Sequence, residues 1–153
     1  MKNLHISIRS IALIILIGPS GLTLAHEQGG ALQSSLYSTQ SWLITCFDDG
    51  NGPGSDVYFD VKASTPGRKF GVKATLSKNG LEASTIDLKS GDKIRSPATK
   101  LSAGDGEYIM TLSKAKSKAS QADTTLKGTM VYGFTYHCES ASGAHTGTLI
   151  NRR

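Results

Sequence analysis

From residue 41 onward, apolar and polar residues alternate with a period of two, and helical periodicity is nearly absent. Residues 41–47 (SWLITCF) set Trp42, Ile44 and Cys46 on one face. Residues 56–63 (DVYFDVKA) turn Val57, Phe59 and Val61 inward and Tyr58, Asp60 and Lys62 outward. Residues 70–77 (FGVKATLS) repeat the pattern with Phe70, Val72, Ala74 and Leu76. Asn79-Gly80 then predicts a tight hairpin, because both residues tolerate positive φ, and residues 81–88 form its return strand. The stretch from Lys89 to Gly106 is turn-rich, with a short strand expected around Ile94. Residues 107–113 align Tyr108, Met110 and Leu112, and residues 129–139 align Tyr132, Phe134, Tyr136 and Cys138. A turn at 140–144 leads to a last strand at 146–150. About seven short strands without a helix predict an all-β fold, a small antiparallel β-sandwich of immunoglobulin-like or similar type. The alternative is a small β-barrel.

The chain starts differently. Lys2 and Arg9 precede the apolar run Ile11-Ala-Leu-Ile-Ile-Leu-Ile17, followed by a Gly-Pro-Ser-Gly break and small residues at Thr23 and Ala25. These are the parts of a secretory signal, expected over residues 1–25, with Ala31 as a second cleavage position. The run falls far short of the roughly 20 residues that a membrane-spanning helix needs, so no transmembrane segment is expected after cleavage. Residues 26–40 are polar, contain Gly29-Gly30 and read as a flexible lead-in to one domain over 41–153.

Cys46 and Cys138 are the two cysteines. In an oxidising compartment an isolated pair predicts a disulfide. The bridge would close a loop of about 90 residues and stabilise the fold by roughly 2–5 kcal/mol. The formal net charge is +5, to which Lys2 and Arg9 contribute, and acidic residues are interspersed. A nucleic-acid binder carries a denser basic face, so nucleic acid is not an expected partner. The one concentrated basic stretch, 114–118, reads as a solvated loop, with contact to anionic lipid headgroups or polysaccharide as the sharper alternative.

Gly104-Asp105-Gly106-Glu107-Tyr108 resembles the tyrosine corner of immunoglobulin-like sandwiches, in which the first Tyr of a strand bonds back to the preceding turn. The resemblance implies that Tyr108 does the same. Met110 stands where those domains place a cysteine, so the bridge here must instead join the first and last strands.

Candidate chemistry gathers around the expected disulfide. Its α-carbons lie about 5.5–6 Å apart, which sets the loop after Cys46 beside the end of the Cys138 strand. That loop carries Asp48 and Asp49. If Glu139 pairs with His145 across the turn, His137 pairs with Gly147, and the two histidines become diagonal neighbours roughly 7–8 Å apart at their α-carbons. Two imidazoles near carboxylates suit Zn or Cu. A calcium reading uses Asp49, Asn51, Asp56 and Asp60, with Gly54 at the sixth loop position. Pro53 and the flanking strands exclude a true EF-hand. A second copper reading uses His26, which would be the first residue after cleavage at Ala25. This resembles the start of histidine-brace copper proteins, including small periplasmic copper carriers and polysaccharide monooxygenases, and implies that the amino group and imidazole bind copper together. The bland reading gives these residues to turns and surface hydrogen bonds, with no cofactor.

No GxSxG elbow is present, and the disulfide would consume both thiols. Trp42, Tyr132 and Tyr136 read as core packing rather than a carbohydrate platform. The expected function is an exported, non-enzymatic binding or accessory domain, periplasmic or secreted, acting on an unknown protein or extracellular ligand. Alternatives are a periplasmic metal-binding protein, a surface-fibre subunit whose lead-in donates a strand, and an inhibitor of a secreted hydrolase.

Overall fold

A computed structural model describes residues 25–35, 37–116 and 127–153. Residues 1–24 of the expected signal over 1–25, and residues 117 and 118 of the basic stretch, lie outside the described residues. Among the described residues there is no helix. The described residues form nine strands: β1 (His26–Leu32), β2 (Thr39–Phe47), β3 (Gly54–Ala63), β4 (Phe70–Lys78), β5 (Leu81–Asp87), β6 (Thr99–Ser102), β7 (Gly106–Lys116), β8 (Met130–Ser140) and β9 (His145–Arg152). Every pairing is antiparallel. The hydrogen-bonded order is β5-β4-β7-β2-β9-β8-β3-β6, with β1 added to β8.

This antiparallel sheet curls until it nearly closes into a barrel, an arrangement that sandwich and barrel descriptions both fit. The alternating faces land as the pattern requires. Ile44, Val57, Val61, Val72, Leu76, Met110, Leu112 and Phe134 are fully buried in one core, with Trp42, Phe59, Tyr132 and Tyr136 nearly so. Asn79 and Gly80 both take positive φ, 51° and 81°, and make the expected hairpin between β4 and β5. The Tyr108 hydroxyl donates to the Gly104 carbonyl, so the corner inferred from the resemblance is present.

Two expectations change. No strand forms at Ile94, which is 66% exposed; β6 lies further on, at Thr99–Ser102. β6 covers only the first part of the β3 edge, up to Phe59. The end of β5 and the irregular chain before β6 cover the rest, through side chains and through the Gly91 and Ser96 N–H groups, which donate to the Ala63 and Val61 carbonyls at 2.8 Å. Asp87 Oδ2 accepts the Ala63 N–H over 2.7 Å and Ser96 Oγ accepts the Val61 N–H over 2.9 Å. Thr85 Oγ1 donates to the Pro97 carbonyl at 2.7 Å, drawing β5 toward this segment and narrowing the gap between the two ends of the sheet.

The second change concerns residues 26–32, which form β1 rather than a flexible lead-in and pair with β8 from His26–Tyr136 to Leu32–Met130. The glycines that weaken the strand signal are sterically required. A Cβ at Gly30 would sit 2.4 Å from Gln40 Oε1 and 2.7 Å from the Tyr132 hydroxyl. Low strand propensity is the consequence of close approach to an aromatic neighbour.

Cys46 and Cys138 are joined, with α-carbons 5.8 Å apart and a sequence separation of 92. The bridge links β2 to β8, the two strands that flank β9, rather than the first and last strands. Replacing both cysteines with alanine is expected to lower unfolding free energy by about 2–5 kcal/mol. Equilibrium denaturation of the double variant checks this, and an unchanged midpoint would contradict it.

Candidate metal centre

On a strand, residues two apart share a face. Cys138 points into the core, so His137 and Glu139 both stand on the outer face of β8, each about one-fifth exposed. Ser140 opens the turn, with its N–H bonded to the Ala144 carbonyl at 2.8 Å, and Gly143 takes φ 80°. The expected register holds at Glu139–His145 and continues to Cys138–Thr146. It goes no further. Gly147 pairs with Phe47 of β2 rather than with His137, because β9 leaves β8 at that point.

The histidines meet nonetheless. Their rings stack with centroids 4.4 Å apart and planes within 9°. His137 Nε2 donates to Glu139 Oε1 over 2.8 Å, and His145 Nε2 lies 4.0 Å from the same oxygen. An ionised carboxylate only accepts, so His137 carries its proton on Nε2 in this contact. One donor atom from each of His137, Glu139 and His145 falls within a 4.8 Å group. On the other side of His137, Tyr58 stacks at 5.2 Å and 9°, and Lys100 Nζ sits 5.4 Å from the Tyr58 ring centre. A column of side chains therefore runs across β6, β3, β8 and β9, ending at His145.

Burial pushes the His145 pKa down, and repulsion from His137 adds to the effect; Glu139 opposes it and His26 adds a smaller repulsion. His26 opens β1 and stacks on Tyr136 at 5.5 Å. It is outside the three-residue group.

The loop after Cys46 does lie beside the end of β8, as the disulfide requires. Thr146 Oγ1 lies 2.7 Å from the Phe47 carbonyl oxygen and 2.8 Å from that of Gly52. Its carboxylates, however, face their own turn. Asp48 Oδ1 accepts the N–H groups of Gly50 at 2.8 Å and Gly52 at 3.1 Å, and Asp49 Oδ1 accepts the Asn51 side-chain amide at 3.1 Å. Neither joins the histidines.

The four calcium candidates are also dispersed. Asp56 bonds Ser102 and pairs with Lys100 at 3.2 Å, and Asp60 pairs with Arg95 at 2.8 Å. Asp56 and Asp60 stand four residues apart on one strand, about 13 Å at its usual rise. That is too far for one ion. Trp42, Tyr132 and Tyr136 are core residues, as their strand faces predict.

Glu139 as third donor was missed from sequence, where it served only to set the register. The signal was available in the His-x-Glu spacing of a strand, which places both side chains on one face. Tyr58 as the stacking partner carries no such local signal; it needs the β3–β8 register Tyr58–His137.

A metal ion binds imidazole nitrogens at about 2.0–2.1 Å, along a lone pair in the ring plane. Two parallel stacked rings cannot both aim at one point. Chelation requires one ring to turn, and His145, at the end of the column, can turn without breaking the Tyr58–His137 stack. Compared with protein-family models, curated proteins and solved structures, the chain gives no match.

The depressed His145 pKa has a consequence for stability. As pH falls through about 6.5, the unfolded chain takes up this proton before the folded chain does, so stability decreases toward acid. His145→Gln is expected to flatten that part of the stability–pH curve between pH 7 and 5. Denaturation midpoints across this range check it, and an identical slope in the variant would contradict the assignment.

Proposed function

We propose that this chain is an exported, non-enzymatic binding domain whose ligand is a divalent transition-metal ion, Zn2+ or Cu2+, held by His137, Glu139 and His145. The observation that carries the reading is the convergence of two imidazoles and one carboxylate within 4.8 Å. Mixed nitrogen and oxygen donors suit these ions, whereas calcium prefers an all-oxygen shell. Three protein ligands leave a further coordination position for water or a partner's donor. An ion taking His137 Nε2 moves that ring's proton to Nδ1 and leaves the Glu139 carboxylate free to ligate, and protons compete with the ion for the imidazole nitrogens toward acid pH. The disulfide supports export, since such bridges persist in oxidising compartments. It also supports a binder over a thiol enzyme, because among the described residues no free cysteine is present. The surface-fibre alternative loses its donor segment, which forms β1 against the chain's own β8.

Isothermal titration of the purified protein with Zn2+ and Cu2+ tests the reading. We expect one ion per chain, affinity that falls toward acid pH, and a melting temperature raised by the metal and restored by EDTA. His137→Ala and His145→Ala should each weaken binding by about tenfold or more. Equal binding by the double variant, or no uptake of either ion, would overturn the proposal.

A further inference from the structure

The barrel has an open seam. β1 and β9 both lie along the same edge of β8: β9 takes Cys138 and Glu139, and β1 takes Met130 through Tyr136. From there they diverge. β9 runs to β2 and pairs with Trp42 through Phe47, while β1 stays on β8. Thr39 and Gln40, at the start of β2, have β7 on one side and no β9 partner on the other. The wedge widens away from the histidines and ends in a mouth of about 640 Å³.

The chemistry of this mouth is one-sided. Arg152 and Arg153 line it with Gln33, Gln40, Ser38 and Ser41, and no Asp or Glu side chain does. The neighbouring cleft, which shares Arg153, differs in carrying Glu82 and Glu107. Neither arginine forms a side-chain ion pair among the described residues. The floor is held in place. Trp42 Nε1 donates to the Tyr132 hydroxyl at 3.1 Å, and that hydroxyl donates to Gln40 Oε1. With its oxygen engaged, the Gln40 amide presents N–H donors. Arg152 pairs in register with Trp42 and lines the mouth beside Gln40, over the same floor.

We infer that this mouth is a second binding site, separate from the histidine cluster, and that its ligand is an acidic oligosaccharide. Guanidinium forks match carboxylates in two-point hydrogen bonds. The surrounding hydroxyls and amides match sugar hydroxyls. Ile109 and Ala31 provide the small apolar contact that a sugar face needs. The volume falls within the usual range for a small-ligand site, about 300–1,000 Å³.

The test is calorimetric titration in EDTA, which keeps it independent of metal binding. The probes are tetragalacturonate, maltotetraose, tetraglutamate and inorganic phosphate. Binding of tetragalacturonate, weakened by salt, with little or none of the neutral sugar, is the expected result. Arg152→Gln and Arg153→Gln should each weaken it by about ten- to a hundredfold. Their melting temperatures should match the parent, since neither side chain is buried. Tighter binding of tetraglutamate would reassign the site to an acidic peptide, and equal binding of phosphate would reduce it to a simple anion site. Either result overturns the inference, as does unchanged affinity in both variants or binding of none of the probes.

Discussion

β9 changes partners after its first two residues, and the rest of the architecture follows from that handover. It begins as the return strand of the β8 hairpin, keeps two residue pairs, and then joins β2 for six more. The Cys46–Cys138 bridge spans this crossing from the core side, where both sulfurs are almost completely buried. Antiparallel sheets close by letting a strand pass from one half to the other. Here the covalent link fixes the point at which β9 does so. The same departure leaves β8 with an unpaired edge, which β1 fills.

The two proposed sites are the two ends of the wedge that this divergence creates. At the narrow end β8 and β9 remain paired, and their outer faces bring two imidazoles and a carboxylate together. At the wide end the separation of β1 from β9 opens a mouth lined by arginines, amides and hydroxyls. One topological event thus yields a compact donor set and an extended polar groove on the same seam. The groups differ in chemistry because the strand positions differ in direction: outer face at the histidines, barrel end at Gln40 and Arg152.

Near the histidines, stacking and electrostatics act together against a charge on His145. The parallel column runs from Tyr58 through His137 to His145. Protonating His145 adds charge beside another imidazole and in a partly dehydrated position, which is why its pKa falls. Binding a cation through the lone pairs instead of protons would keep the carboxylate of Glu139 in the role it already has, as the local counter-charge. The ring rotation required is a modest conformational cost beside the metal–ligand bonds gained.

Much of the fold was legible in the chain itself. Alternation assigned the buried faces of β2, β3, β4, β7 and β8, Asn79-Gly80 marked a hairpin, and the five-residue turn set Glu139 against His145. These features are local: a period of two, a positive φ and a loop length act over a few residues. The disulfide was inferable because only two cysteines exist to pair. Tertiary structure alone decided the remainder. Whether Gly29-Gly30 meant mobility or close packing depended on Tyr132, a hundred residues away. The absence of a strand at Ile94 depended on Asp87 and Ser96 satisfying the edge of β3 instead. Above all, the point where β9 abandons β8 is a compromise between two sheet halves and a cross-link, and no short window of residues contains both competitors. That compromise replaced the expected His137–Gly147 pair and opened the mouth around Arg152.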